Sequence, residues 1–112
     1  IGLVGSEMCI RDRNVLGEYG GIGLPVENHL WWNKRNWGYV QFKNSDEVTA
    51  EYVKYANILK DYVKRGFSAD VYTQTTDVEG EVNGLMTYDR KVIKIDEAAV
   101  KKANQSVINE LK

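Results

Sequence analysis

The sequence predicts a mixed α/β fold built from parallel strand–helix units, and three observations support this. Two short apolar runs each precede a segment with helical periodicity, in the order strand, loop, helix, strand, loop, helix. The 112 residues suffice for one ordinary domain or for part of a larger one. Hydrophobic residues make up 43% and charged residues 28% of the chain, which is the balance of a globular protein.

Residues 1–13, IGLVGSEMCIRDR, do not fit a signal peptide, because the apolar stretch is short and charged residues follow it. Leu3–Asp12 resembles one translated frame of a transposase-type sequencing-library adapter. The alternative interpretation is a genuine strand and turn. On the adapter hypothesis the segment is not native, Cys9 is not part of the natural protein, and the authentic sequence begins near Asn14.

The predicted strands are short and lead into polar or aromatic loops. Asn14–Glu18 is an apolar run that precedes glycines, as is typical of a buried strand ending at a loop. Ile22–Lys43 has no clean period, contains the three tryptophans and the single histidine, and is predicted to be a long loop. Phe67–Thr73 is the second predicted strand, and a polar, acidic stretch follows over Gln74–Asn83.

The clearest helix is predicted between an N-cap at Asn44 or Ser45 and a stop at Gly66. Glu47 follows Asn44 by three residues, as in a capping box. Apolar residues at spacings of four and three predict one buried face: Val48, Tyr52, Tyr55, Leu59 and Tyr62.

The C-terminal region is predicted to hold two extended segments and a second helix. Gly84–Tyr88 and Val92–Ile95 flank a turn at Asp89 and Arg90, which we interpret as structural, with an ion-paired arginine. Asp96 is expected to cap the last helix. Its inner face would carry Val100, Ala103, Val107 and Leu111.

Charge and hydropathy argue against several classes of protein. Fifteen Lys and Arg against sixteen Asp and Glu give a net charge of −1, which argues against a nucleic-acid partner. No apolar run approaches the roughly 18 residues of a membrane span. Neither a Gly-rich phosphate loop nor a metal-ligand spacing is present, so the sequence predicts no metal and no cofactor.

Glu18 is the candidate catalytic residue. It ends a predicted strand, and catalytic residues of βα barrels lie at the C-terminal ends of strands. Gly17, Gly20 and Gly21 would let backbone and substrate approach closely. Gly20 and Gly21 would also leave space for a sugar ring beside Glu18. For the residue taken alone, a solvated or ion-paired glutamate is the commoner explanation.

Three stretches carry further motifs: Gly17–Trp31 (GEYGGIGLPVENHLW), Trp37–Tyr39 (WGY) and Val71–Lys94 (VYTQTTDVEGEVNGLMTYDRKVIK). Together they resemble the catalytic barrel of glycoside hydrolase family 2, especially its bacterial β-galactosidase-like and β-glucuronidase-like members. The resemblance covers nearly all of residues 14–112. It implies a fragment of a (β/α)₈ TIM barrel, namely its last two βα units, since two units cannot close a barrel of roughly 250 residues.

The family's Glu-Tyr/Phe-Gly motif matches Glu18–Gly20, so the resemblance implies that Glu18 is the nucleophile of a retaining glycosidase. The family's acid/base glutamate belongs to the fourth strand, and no residue here matches it. The fragment alone is therefore expected to be inactive without the rest of the parent barrel. Glu27, Glu79 and Glu81 are interpreted as loop charges. The alternative is a non-catalytic carbohydrate-binding or scaffold relative of the same barrel.

Aromatic side chains of the long loop are candidates for binding the carbohydrate substrate. The flat faces of Trp31, Trp32 and Trp37 suit stacking on pyranose rings, although tryptophans also fill gaps between a loop and a barrel. His29 is a candidate hydrogen-bond partner for a sugar hydroxyl, with a structural histidine as the alternative.

Tyr72 and Gln74 are the remaining substrate-binding candidates. The resemblance places them at the end of the eighth strand, where the family often carries an aromatic residue lining the sugar pocket. Here Tyr-Thr-Gln stands in place of a Trp-centred pattern, so the sugar is not identified. Asp77 either caps backbone amides of the following loop or contacts a sugar.

Overall fold

The computed structural model describes residues 7–10, 13–32, 34, 36–38 and 40–110. The fold is mixed α/β, as predicted. Within these residues, five strands and two helices follow in the order β1 (Glu7–Ile10), β2 (Arg13–Gly20), β3 (Ile22–Gly23), β4 (Val40–Gln41), α1 (Ser45–Lys64), β5 (Phe67–Thr73) and α2 (Glu97–Glu110).

The main sheet has the strand order β1–β2–β5. β2 and β5 are parallel, and α1 lies between them in the chain as the crossover that parallel neighbours require. The register pairs Glu18 with Val71 and Gly20 with Thr73. The parallel strand–helix–strand arrangement is therefore confirmed. β3 and β4 form a separate two-stranded parallel sheet.

Part of the segment that we interpret as adapter-derived lies in β1. Glu7–Ile10 pairs antiparallel with the start of β2. Backbone hydrogen bonds of this kind can be made by almost any sequence, so the pairing does not bear on the origin of the segment. Residues 1–6 and 11–12 of the segment lie outside the described residues.

α1 begins where its capping signals predict. The Oδ1 of Asn44 accepts a hydrogen bond from the backbone N–H of Glu47 at 2.9 Å, and the Glu47 carboxylate accepts one from the N–H of Lys43 at 3.0 Å. The chain leaves the helix through Gly66, whose φ is 99°. The predicted face is confirmed, since Val48, Tyr52, Tyr55 and Leu59 are buried and Tyr62 packs against the same core.

α2 packs against α1 and is capped by Asp96, whose Oδ1 accepts from the N–H of Ala98 at 3.0 Å. The N–H of Asp96 donates to the Thr49 hydroxyl at 2.9 Å, which ties the start of α2 to α1. Val100 and Ala103 are buried on the predicted inner face, whereas Leu111 lies outside the described residues. Within the described ranges, neither helix is long and apolar enough to cross a membrane.

The two extended segments predicted at 84–88 and 92–95 do not form regular strands in the described structure. They are joined by an isolated antiparallel bridge between Met86 and Ile93. Two backbone hydrogen bonds flank this bridge, from the N–H of Thr87 to the carbonyl of Val92 at 3.0 Å and from the N–H of Lys94 to the carbonyl of Leu85 at 2.9 Å. The predicted segments therefore pair across the turn without forming regular strands.

Candidate functional site

Glu18 lies near the C-terminal end of β2, and its side chain is exposed. The strand continues to Gly20, beyond the predicted end, because the backbone there still pairs with β5. The register partner of Glu18 is Val71, whose side chain is 52% exposed. Partners in neighbouring strands project to the same face of a sheet, so the carboxylate lies on the solvent-facing side of the β2–β5 pair.

Tyr72 lies on the opposite face of this strand pair. Successive residues of a strand alternate between faces, and the Tyr72 ring packs against Tyr19 at 5.2 Å and Tyr52 at 5.1 Å between centroids. Burial raises the pKa of the Tyr72 phenol above its ordinary value. The structure thus places Tyr72 in the aromatic core beneath the sheet, away from the face that carries Glu18.

Gly20 is needed for the close approach of β5. A Cβ atom at this position would lie 2.6 Å from the carbonyl oxygen of Thr73 and 2.8 Å from the Tyr72 ring. The N–H of Gly21 donates to the same Thr73 oxygen at 2.7 Å. The expectation of close backbone approach at Gly20 is confirmed.

Gln74 follows β5 and is held by a buried partner. Its Nε2 donates to the Oδ1 of Asn83 at 2.7 Å, and Asn83 is fully buried. The Asn83 amide is therefore positioned to fix the orientation of the Gln74 side chain. Sequence reasoning missed Asn83, because an asparagine in an acidic loop gives no sign of burial.

An ion pair between Asp77 and Lys94 holds the backbone on both sides of Asn83. The Lys94 ammonium lies 2.7 Å from the Asp77 Oδ1, and the side chains are 0% and 3% exposed. Lys94 also donates to the carbonyl of Val82 at 3.0 Å, and Asp77 accepts from the N–H of Gly84 at 2.9 Å. The capping role considered for Asp77 is confirmed. Burial raises the pKa of Asp77, against the opposing effect of Lys94, and lowers the pKa of Lys94.

His29 is hydrogen-bonded to Asp89, which is the carboxylate of the predicted turn. The His29 Nδ1 lies 2.8 Å from the Asp89 Oδ2, while the Asp89 Oδ1 accepts from the Thr87 hydroxyl at 2.6 Å. The hydrogen bond from the Thr87 hydroxyl has the largest effect on the pKa of Asp89, and the hydrogen bond with His29 has the next largest. Together they hold that pKa well below its usual range. The turn is confirmed, but the expected ion pair of Arg90 is not found among the described residues, since the carboxylate faces His29 instead.

Trp31 and Trp32 lie on an exposed surface, with relative exposures of 53% and 44%. They line a groove of about 500 Å³ together with Glu27, Asn28 and Leu30. Trp32 also lines a second groove of about 250 Å³, whose other lining residues are Trp37, Val78, Glu79, Gly80 and Glu81. In the described structure these tryptophans are about half exposed and are not part of the buried core.

Apart from Tyr72 in the core, the predicted site residues lie in two places. Glu18 and Gln74 lie near the C-terminal ends of β2 and β5. His29 and the two tryptophans lie on the long loop, where His29 is hydrogen-bonded to Asp89 and Trp31 packs on Tyr88. In the part of the chain that is described, no side-chain hydrogen bond, ion pair or ring contact joins Glu18 to the loop group. That part also contains no group of three or more His, Cys, Asp or Glu placed to hold a metal ion.

The fold and these residues define a mixed α/β protein with an exposed carboxylate at a strand end and an aromatic, acidic loop surface. No family model matches the chain, and no curated protein gives a significant match to it.

Proposed function

We propose that residues 14–112 form the last two βα units of the (β/α)₈ catalytic barrel of a family 2 retaining glycoside hydrolase, with Glu18 as the nucleophile. The observation that carries the proposal is the position of Glu18. It stands in a Glu-Tyr-Gly motif, near the C-terminal end of a strand with a parallel neighbour, and its carboxylate is exposed. Catalytic groups of such barrels occupy this edge of the sheet.

In the proposed reaction the Glu18 carboxylate attacks the anomeric carbon and forms a glycosyl ester. The bond from that carbon to the leaving oxygen breaks, and a second carboxyl group protonates this oxygen. The same group then deprotonates the water that hydrolyses the ester, so the anomeric configuration is retained. The second carboxyl group would lie about 5–5.5 Å from Glu18 and would come from the fourth strand of the parent barrel. This chain alone is therefore expected to show no turnover.

The second candidate function is a non-catalytic, carbohydrate-binding relative of the barrel. The observation that favours it is the exposed pair Trp31 and Trp32, for which the described residues show no contact with Glu18. The presence or absence of a glutamate at the end of the fourth strand, in the upstream part of the gene, distinguishes the two functions.

The proposed nucleophile can be tested in the protein expressed from its full gene. We expect Glu18→Gln to retain the fold and to lower turnover of aryl β-glycosides by at least about 10⁴-fold, because the glycosyl ester cannot form. A 2-fluoro-glycoside should label a peptide containing Glu18 in the unsubstituted protein and nothing in the variant, as read by mass spectrometry.

Glu97→Gln is the matched control, because Glu97 lies in the first turn of α2 and belongs to no candidate site. This variant should keep normal turnover and normal labelling. Label on a different carboxylate, together with an active Glu18→Gln variant, would remove Glu18 from the mechanism.

A further inference from the structure

All three tryptophans of the chain are exposed on one surface. Trp31, Trp32 and Trp37 have relative exposures of 53%, 44% and 44%, and Trp32 lines both grooves. Tryptophan is strongly buried on average, and large exposed apolar patches usually mark binding sites. We call these three residues with Glu27, Glu79 and Glu81 the tryptophan surface.

The tryptophan surface is held in place by contacts beneath it. The N–H of Trp37 donates to the carbonyl of Gly80 at 2.7 Å, and the carbonyl of Trp37 accepts from Val82 at 2.7 Å. The Trp31 ring packs on Tyr88 at 5.7 Å between centroids. These contacts position the backbone of Trp37 and the ring of Trp31 before a ligand binds, which favours affinity.

Carboxylates form the polar part of this surface. Glu27 lines the first groove, Glu79 and Glu81 line the second, and no cationic side chain is found among the described lining residues of either. Carboxylates accept hydrogen bonds from hydroxyl groups, whereas indole faces suit the apolar faces of sugar rings. An apolar protein partner would desolvate these carboxylates without supplying donors, and a uronic acid would meet like charge.

We propose that the tryptophan surface binds two adjacent rings of an uncharged oligosaccharide, one ring in each groove, and that it disfavours uronic acids. Glu79 and Glu81 would accept hydrogen bonds from hydroxyl groups of the ring in the second groove. The choice of a sugar as ligand rests on the proposed function. The binding itself does not, because Glu18 takes no part in this surface.

The test uses intrinsic fluorescence of the 112-residue chain, in which every tryptophan belongs to the tryptophan surface. The neutral probes are cellotriose and β-1,4-galactotriose, and the acidic probe is the β-1,4-linked triglucuronate. We expect a neutral probe to shift the emission and to bind at least about tenfold more tightly than the triglucuronate.

Variants separate the two grooves and identify the source of the charge discrimination. Trp37→Ala should weaken binding of the neutral probe about tenfold, and Trp32→Ala should weaken it further, since Trp32 lines both grooves. Paired substitutions Glu79→Gln and Glu81→Gln should improve triglucuronate binding. Ile108→Ala, at an exposed position on α2, is the control and should bind normally.

Calorimetric titration of the protein expressed from its full gene, with Glu18→Gln to prevent cleavage, repeats the test in the intact barrel. Three results would overturn the proposal: tight binding of the triglucuronate, no binding of either neutral probe, or an affinity for the neutral probes that neither tryptophan substitution changes. Binding that depends on Trp32 and Trp37 in a protein without glycosidase activity would instead contradict the proposed function and leave this proposal standing.

Discussion

The most deeply buried charges of the described chain are those of Asp77 and Lys94, which lie 17 positions apart in sequence and meet at 2.7 Å. Removing one partner of a buried pair leaves the other charge without compensation. We therefore expect Lys94→Met to lower the free energy of unfolding by about 3–5 kcal/mol at pH 7. Urea denaturation followed by circular dichroism measures the change.

Lys54→Met is the matched control, because Lys54 forms an exposed pair with Glu51 at 3.7 Å. Its substitution should change stability by less than about 0.5 kcal/mol. Equal losses in the two variants would show that the buried pair contributes no more than a surface contact.

The same Lys94→Met variant should show a characteristic dependence on pH. Burial raises the pKa of Asp77, and Lys94 and the backbone N–H of Gly84 lower it, so removing Lys94 raises that pKa further. When the pKa of a carboxyl group is higher in the folded than in the unfolded state, the free energy of unfolding decreases as pH rises towards the folded-state pKa. The stability difference from the unsubstituted chain should therefore shrink as pH falls from 7 to about 4. A difference that stays constant with pH would contradict a buried, charged Asp77.

Sequence patterns alone did not predict the side-chain pairs of the site. His29 and Asp89 are separated by 60 positions, so their hydrogen bond depends on how the long loop folds over the turn. Lys94 stands within an apolar run, which is an unusual place for a lysine and is the signal that could have indicated its burial.

At the scale of elements, predictions succeeded where the signals are local. Asn44 and Glu47 cap α1 through contacts between neighbours in sequence, so the start of α1 was predictable. The end of β2 was not predictable from local signals, because a glycine such as Gly20 usually indicates a loop. Gly20 belongs to the strand only because it pairs with Thr73. Tertiary pairing decided that boundary.

Two glycines at element ends should respond differently to substitution by alanine. Gly20→Ala is expected to cost about 2–4 kcal/mol, because its Cβ would collide with Thr73 and Tyr72 at a φ of 109°. Gly66→Ala should cost only about 1–2 kcal/mol of backbone strain, since a Cβ there meets nothing within 4 Å. Urea denaturation of both variants provides the comparison, and similar losses would mean that β5 does not approach Gly20 closely.

At the scale of the whole molecule, the order of strands and helices predicted the mixed α/β class, because alternating units place their strands parallel with a helix between them. The arrangement of the long loops followed no such rule. Their position depends on particular contacts, such as the bond from the N–H of Leu24 to the carbonyl of Val82. The tryptophan surface exists only because these loops meet.

The described sheet ends at β5, whose residues from Ser68 to Val71 are exposed. An exposed edge strand can pair with a strand from another chain, and a lysine on the edge opposes such pairing. We therefore expect the 112-residue chain to self-associate with increasing concentration, and Val71→Lys to shift it towards the monomer in sedimentation velocity.

Ile108→Lys is the control, because Ile108 is 47% exposed on α2, close to the 52% of Val71, but lies far from the sheet edge in sequence. If Ile108→Lys abolished association and Val71→Lys did not, the contact would involve α2 rather than the edge of β5. In the proposed parent barrel the neighbouring strand would cover this edge, so Val71→Lys should there reduce stability rather than association.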